Sequence, residues 1–426
     1  MVKFLLKDKF LLKNSGLVFG FRLLGMVLAY LMMIAITNLL GAKIYGRYTI
    51  SVTLLQLLVL ICSLGIPTAV VKLTSDKENF NFFPRNDYLK KAFIIVVISA
   101  LVVSFIGLFL NTFLAETIFD DIKLVKYFNF ISYTLVFTVL HSFVLEFLRG
   151  RLKFKHFAFG LYVLPYIIFF SFFYFFKSLS FDEEYYFLGY VLGISLTGIF
   201  FLRFFPFKKL KTNIQYPANK LFKLSIPMLI TSAFVFFINW TDVFMLGALV
   251  TKEEVGIYNV AYKLATIVLI VIHAVNTIVA PKIASLFSQN KLYEIEELIN
   301  KSTKMITVIT LPVVVVLILF RKHVLSLFGL DFIAGESVLI VVSLGLLFNA
   351  LSGSVSQVLN MTKHQKELKN ITIVCAVLNI LLNLFLIPKF GILGAAYASL
   401  ISNVFFNLFG IYLVKKYLGF YTFIKI

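Results

Sequence analysis

The sequence predicts an all-α polytopic membrane protein with about twelve transmembrane helices in two pseudo-symmetric six-helix lobes. Three observations support this fold class. Long apolar runs recur along the chain, Lys and Arg collect in alternate connections, and the two halves share a turn motif. The runs are too long for barrel strands, and lipid offers no partner to an unpaired backbone group, so the spans are predicted to be helices.

The composition excludes a soluble protein. The chain has 426 residues, of which 60% are hydrophobic, and its mean hydropathy is +0.96, whereas a soluble domain is roughly 45–50% apolar. The net charge of +20 is divided among small clusters between apolar runs, so nucleic-acid binding is not expected. The two cysteines, Cys62 and Cys375, lie within apolar runs without metal-ligand spacing and are predicted to be small core residues.

Charged or turn residues bound the predicted spans. The first span is too long for the apolar region of a signal peptide and no A-x-A-like site follows it, so we expect it to be retained. The first six spans are predicted at 15–40, 48–73, 91–115, 124–148, 157–176 and 185–205. The second six are predicted at 221–250, 255–281, 303–328, 333–361, 368–388 and 392–413.

The distribution of Lys and Arg predicts the orientation of the chain. With the N-terminus in the cytoplasm, the inner connections carry 29 of these residues and the outer connections carry 9. Arg22 and Lys263, which lie within spans, complete the total of 40. Because cytoplasmic loops are enriched in Lys and Arg, we expect both termini on the cytoplasmic side.

A turn motif repeats between the two halves. The connection after the first span, 40–48, reads LGAKIYGRY, and the connection after the seventh, 246–258, reads LGALVTKEEVGIY. Both contain L-G-A and then G-x-Y, and an offset of 210 residues pairs Gly46 with Gly256. Since each half has an even number of spans, the halves form a parallel repeat about an axis along the membrane normal.

The repeat also predicts the domain organisation. We expect an N-terminal six-helix lobe at 1–206, a charge-rich cytoplasmic linker at 207–220 and a C-terminal six-helix lobe at 221–426. Parallel repeats of this kind enclose a central cleft between the lobes. Spans one, two, seven and eight are expected to line it.

Ionisable residues at membrane depth cost about 2.5–3.5 kcal/mol on insertion scales and normally face a cavity or a partner. For Glu146 we expect a salt bridge at the inner interface with Arg149 or Arg151, and for His141 a hydrogen-bonded helix contact. The full set of such residues is Arg22, His141, Glu146, Asp242, Lys263 and His273.

Lys263 lies on a polar helical face. At 100° per residue Asn259 falls on the same stripe and Thr266 lies at its margin. The repeat aligns this face with Thr53 and Gln56 of the second span, as two walls of one cavity would require. The alternative is that the ammonium of Lys263 snorkels to the outer interface.

Two further charged residues each have two possible roles. Arg22 lies about two turns into the first span, where it either faces the cleft or snorkels to headgroups of the inner leaflet. Asp242 lies near the outer end of the seventh span. It either pairs structurally with Lys263 or binds a coupling H⁺ or Na⁺.

Several motifs together resemble a known family. They are the L-G-A…G-x-Y turn, Leu64-Gly65-Ile66-Pro67, Ser225-Ile226-Pro227, Asp242, the run from Gly256 to Lys263, Pro281, and Gly391-Ile392-Leu393-Gly394-Ala395-Ala396. Across essentially the whole chain they resemble the Wzx-type polysaccharide (O-antigen) flippases, polysaccharide biosynthesis export proteins of the MATE/MOP exporter superfamily. Lipid II flippases of that superfamily usually have fourteen spans, so twelve spans favour the Wzx-type branch.

The resemblance implies export of an undecaprenyl-diphosphate-linked oligosaccharide, an O-antigen or capsule/exopolysaccharide repeat unit, across the bacterial cytoplasmic (inner) membrane. The residues agree, because two fixed cations among hydroxyls and amides suit an anionic, hydrogen-bonding cargo. The predicted substrate-binding residues are Arg22, Lys263, Asn259, Thr266, Gln56 and Thr53.

Two other functions stay open. A cation-coupled MATE-type drug exporter would share the fold, although that class favours an intramembrane carboxylate without matching cations. A membrane glycan polymerase or ligase would normally carry a large outer loop. The sequence contains no Walker motif, nucleophile–base set or metal cluster, so we expect no enzymatic activity, cofactor or metal. Membrane lipid and other polysaccharide-assembly proteins are the expected partners.

Overall fold

The computed structural model describes residues 9–75, 87–207 and 218–424, which form helices and connections without a β-strand. In chain order the helices are α1 (Lys9–Ser63), α2 (Ile66–Ser75), α3 (Asp87–Phe113), α4 (Leu124–Gly150), α5 (Phe154–Tyr162), α6 (Leu164–Ser178), α7 (Glu183–Leu202) and α8 (Ala218–Leu249). There follow α9 (Lys252–Ala265), α10 (Leu269–Ser288), α11 (Leu292–Leu319), α12 (Arg321–Ser326), α13 (Glu336–Ser352), α14 (Val355–Met361), α15 (Gln365–Phe390) and α16 (Ile392–Leu418).

Ten helical stretches within the described residues are long and apolar enough to span a membrane, and the segments Ala218–Phe234 and Asn239–Leu249 together add an eleventh. The first stretch, Gly16–Ser63, has 48 residues, far more than the roughly 20 that one span needs. Its backbone leaves the helical conformation at Gly41, where φ is 77° and ψ is 178°. Since it comprises two helices, the described spans number twelve, and the predicted fold class is confirmed.

Several predicted spans differ from the structure in their bounds. The second is broken between Ser63 and Ile66, where Leu64 and Gly65 adopt positive φ, and the ninth ends at Leu319. The fifth is divided between α5 and α6, because Pro165 at the start of α6 cannot continue the preceding helix. The eighth extends beyond Pro281 as far as Ser288. The tenth ends at Ser352, because Gly353 adopts φ 75°, and the short helix α14 follows as a separate element.

The chain divides by packing into two compact units. The first comprises Met1–Leu40 and Ile50–Phe236, and the second comprises Gly41–Thr49 and Phe237–Ile426. The nine-residue turn Gly41–Thr49 therefore packs with the C-terminal half of the chain. The predicted domain boundaries describe the sequence repeat and stay predictions.

Helix α4 forms the centre of the first unit and packs against α2, α3 and α7. The approach to α7 is close, because a Cβ added at Gly198 would lie 2.9 Å from the backbone of His141. His141 Nε2 donates a hydrogen bond to the carbonyl oxygen of Gly160 at 3.1 Å, and Arg149 pairs with Glu146 at 2.6 Å. The predicted helix contact of His141 and salt bridge of Glu146 are thus confirmed.

The second unit is built around α16, which packs against α13 and α15. An apolar core lies between α10, α11, α14 and α16, and its members Ile283, Ile295, Ile299, Val358 and Val414 are all fully buried. Helix α9 begins with a capping box, in which Thr251 and Glu254 each bond the backbone N–H of the other.

The two copies of the turn motif pack against each other within the second unit. A Cβ at Gly46 would lie 1.6 Å from the carbonyl oxygen of Lys252, and a Cβ at Gly256 would lie 2.3 Å from that of Ala42. The hydroxyl of Tyr45 donates to Oδ1 of Asn259 at 3.1 Å. Each G-x-Y glycine thus allows the backbone of one copy to approach the other.

Candidate functional site

Asp242 is the centre of a buried polar network in the second unit. Its carboxylate accepts three hydrogen bonds: from the hydroxyl of Tyr258 at 2.8 Å, from Nδ2 of Asn383 at 2.8 Å, and from the hydroxyl of Ser399. Four helices, α8, α9, α15 and α16, supply these groups. Asn383 also donates to Oδ1 of Asn379 at 3.1 Å, so the network extends one turn along α15.

The groups that hold Asp242 are all neutral. A carboxylate removed from water is stable only if it is paired, hydrogen-bonded, or able to take up a proton or a cation. Asn383 is fully buried, and its Oδ1 has no hydrogen-bond partner within the described part of the chain. A carboxylate beside amide and hydroxyl oxygens is the kind of ligand set that hard cations prefer.

The other predicted residues of the second unit lie on α9 and directly after its end at Ala265. Asn259 is buried and bonded to Tyr45. Lys263 is half-buried, and its carbonyl oxygen accepts a hydrogen bond from the hydroxyl of Thr266 at 2.7 Å. The predicted pairing of Lys263 with Asp242 stays a prediction, since the described hydrogen bonds to the carboxylate come from other residues.

The remaining predicted residues lie in the first unit, on α1. Thr53 is buried and Gln56 is half-buried, whereas Arg22 is exposed. One helical turn after Arg22, α1 packs closely against Tyr162. A Cβ added at Gly25 would lie 2.4 Å from the carbonyl oxygen of Tyr162. Their role in substrate binding stays a prediction.

Sequence reasoning missed the partners of Asp242. Asn383 and Ser399 are 141 and 157 residues away along the chain, and no local pattern joins them to α8. One signal was present. Asn379 and Asn383 are spaced by four residues within the apolar run of α15, so they share a helical face in a segment that otherwise suits lipid.

Among the residues described, no group of three or more His, Cys, Asp and Glu side chains is placed to hold a metal ion. The charged groups of the predicted site in the second unit are the carboxylate of Asp242 on α8 and the ammonium of Lys263 on α9. This arrangement suits binding and release of a charged solute.

The fold is shared with known transporters. It matches the structure titled "Lipid II flippase MurJ, inward closed conformation" with a TM-score of 0.76 and 17% identity, over 95% of this chain and 87% of that chain. The protein is therefore a multi-pass membrane protein with the fold of this transporter. In addition, residues 227–385 match the MatE family profile.

The particular family follows from the sequence comparison. Residues 11–287, more than half of the chain, match the profile described as "Polysaccharide biosynthesis protein". The chain belongs to this polysaccharide biosynthesis protein family, as the motif resemblance predicted.

Two curated relatives carry informative names. The "Capsular polysaccharide biosynthesis protein CapF" of Staphylococcus aureus is 23% identical, over 92% of this chain and 96% of that protein. The "Probable low-salt glycan biosynthesis flippase Agl15" of Haloferax volcanii is 27% identical over 199 residues, which are 46% of this chain. The latter match spans only 42% of that relative's length.

Proposed function

We propose that the protein is a flippase for an undecaprenyl-diphosphate-linked oligosaccharide, an O-antigen or capsule/exopolysaccharide repeat unit. It moves this cargo from the cytoplasmic to the outer leaflet of the bacterial cytoplasmic membrane by alternating access, with both termini in the cytoplasm. Membership of the polysaccharide biosynthesis protein family carries the proposal, and the names of the two relatives support it.

Arg22 of the first unit and Lys263 of the second are the cations proposed to contact the diphosphate. Arg binds a phosphate with two parallel hydrogen bonds, whereas Lys offers a mobile point charge. The hydroxyls and amides of Thr53, Gln56 and Asn259, with Thr266, serve the polar remainder of the cargo. No covalent step is required, so the protein acts as a transporter and not as an enzyme.

The membrane potential is a sufficient driving force for this cargo. One charge crossing 100 mV gains about 2.3 kcal/mol, so a diphosphate with roughly two negative charges gains about 4–5 kcal/mol on leaving a negative cytoplasm. Export is therefore feasible without an ATPase domain, and an ion bound at Asp242 would add to this force.

The test is transport by the purified protein in proteoliposomes. A fluorescent undecaprenyl-diphosphate oligosaccharide should reach the far leaflet faster when a potential of the appropriate sign is imposed, and ethidium should not be exported. Empty liposomes are the control.

The MatE match makes a cation-coupled drug exporter the second candidate. Export of ethidium against a Na⁺ or proton gradient, without movement of the glycan lipid, would replace the proposed function with this one.

Asp242 is proposed to bind the coupling cation, a proton or Na⁺, because its described partners are neutral. Asp242→Asn retains a hydrogen-bonding oxygen but removes the charge. The variant is expected to fold, to keep its response to the membrane potential, and to lose any dependence of transport on Na⁺ and pH.

The measurement is the initial rate of glycan-lipid translocation at several Na⁺ concentrations and pH values. The control is Asp331→Asn, which removes an exposed carboxylate of the same unit and should behave like the wild type. If the wild type responds to neither ion, or if Asp242→Asn keeps the wild-type response, Asp242 is a structural residue.

A further inference from the structure

A second feature of the C-terminal unit is a cavity of about 310 Å³ between α8, α9, α10, α13, α15 and α16, here called the C-terminal cavity. Its polar lining consists of amide and hydroxyl side chains contributed by three helices. They are Asn349, Thr372, Asn379, Ser399, Ser402 and Asn403.

None of the described residues that line the C-terminal cavity is charged at neutral pH. A diphosphate or a cationic drug would lose its hydration there without contacting an oppositely charged lining residue, which is strongly unfavourable. The neighbouring carboxylate of Asp242 does not line the cavity and already accepts three hydrogen bonds. The occupant that fits is therefore uncharged. This separates the cavity chemically from the cations Arg22 and Lys263.

The lining is suited to a ligand that carries many hydroxyl groups. Amides and hydroxyls both donate and accept hydrogen bonds, as the hydroxyls of a sugar do. The hydroxyl of Ser402 is buried and has no hydrogen-bond partner within the described segments, and leaving such a group unpaired costs about 1–3 kcal/mol. Since Ser402 belongs to the cavity lining, rotation of its side chain would bring this hydroxyl to a ligand hydroxyl that satisfies it.

Aromatic rings complete the lining. Phe237, Tyr262 and Phe406 border the C-terminal cavity, and their apolar faces suit the C–H face of a sugar ring. The volume lies at the lower end of the roughly 300–1,000 Å³ typical of ligand pockets. It therefore suits one sugar ring better than a whole oligosaccharide.

We propose, on the basis of the flippase function proposed above, that the C-terminal cavity binds one uncharged sugar residue of the lipid-linked glycan. Arg22 and Lys263 then hold the diphosphate, while the cavity selects the glycan by hydrogen bonds to the neutral hydroxyls of the sugar. The cavity shares Asn379 and Ser399 with the network of Asp242, so sugar and ion contact the same side chains.

Cys375 allows a direct test, because it lines the C-terminal cavity and the chain has only two cysteines. In a Cys62→Ala background, the rate of modification of Cys375 by N-ethylmaleimide is measured on purified protein. The probes are methyl glucoside, methyl galactoside, methyl mannoside and N-acetylglucosamine, with inorganic phosphate and tetraphenylphosphonium as charged controls.

At least one neutral sugar is expected to slow the modification roughly tenfold at about ten times its Kd. Neither charged control should protect Cys375. Asn349→Leu should abolish the protection, whereas Asn300→Leu, which removes a half-buried amide of the same unit outside the cavity lining, should preserve it.

Intrinsic fluorescence provides a second measurement that needs no thiol reaction. Trp240 is the only tryptophan of the chain and follows Phe237 by three residues on α8. The protecting sugar should change its emission in the wild type and not in Asn349→Leu. Failure of every neutral sugar in both assays, or protection by tetraphenylphosphonium, would overturn the sugar site. If the same protein still flips the glycan lipid, only the sugar site is wrong, and the proposed function stands.

Discussion

Replacing Lys263 with alanine is expected to abolish glycan export while the protein still inserts into the membrane, and Arg22→Ala should do the same. Each change removes one of the two fixed cations within the spans, so the diphosphate would leave water with only one of its two charged partners. Truncating one member of a desolvated charged contact typically costs 2–5 kcal/mol. That corresponds to a loss of at least about 30-fold in binding at the lower limit.

Lys263→Arg should retain part of the activity, because arginine keeps the positive charge although its planar guanidinium differs in shape from the lysine ammonium. Surface glycan in a flippase-deficient strain is the first measurement, with the amount of protein in the membrane determined by immunoblot. Translocation in proteoliposomes is the second. Lys304→Ala, which removes an exposed cation from α11, is the matched control. Normal surface glycan in both Lys263→Ala and Arg22→Ala would remove these residues from the mechanism.

Gly46→Ala is expected to destabilise the second unit severely. The new Cβ would lie 1.6 Å from the carbonyl oxygen of Lys252 and 3.2 Å from the backbone nitrogen of Gly256. Overpacking usually costs 1–3 kcal/mol, and here the obstacle is backbone, which cannot move aside as a flexible side chain would. We expect a cost of about 3 kcal/mol or more.

The measurement is the apparent melting temperature of the detergent-purified protein, together with its yield from membranes. Gly20→Ala in the same helix α1 is the matched control, since nothing lies within 4 Å of its new Cβ. That variant should melt at or slightly above the wild-type temperature, because Ala favours helix by about 1 kcal/mol over Gly. Equal melting of Gly46→Ala and the wild type would contradict the packing of the two turn motifs.

The fold could be predicted from the sequence because few backbone structures are stable in lipid. A run of apolar residues between charged clusters must form a helix, and its length sets the number of spans. The repeat was also visible, because Gly46 and Gly256 occupy equivalent points of the two halves. That these two copies pack against each other was not predictable, since a repeat shows equivalence and not contact.

The candidate site was only partly predictable. An isolated Asp242 within a span was conspicuous because of its cost, and charge complementarity made Lys263 the obvious partner. The described hydrogen bonds to its carboxylate come from Tyr258, Asn383 and Ser399, and the pairing with Lys263 stays a prediction. Neutral polar residues are common in spans, and nothing in their local sequence shows which of them turn toward one carboxylate.

The placement of Gly41–Thr49 in the second unit has a consequence for biogenesis. The partner of Tyr45, Asn259, is synthesised 214 residues later, which at roughly 5–20 residues per second is a delay of about 10–40 s. During that interval the turn has already emerged from the ribosome, but the α9 surface that will receive it does not yet exist. Membrane insertion of the early spans therefore precedes completion of their packing, and a chain whose synthesis stops before α9 presents Tyr45 and the bare backbone of Gly46 to the chaperones and proteases of the membrane.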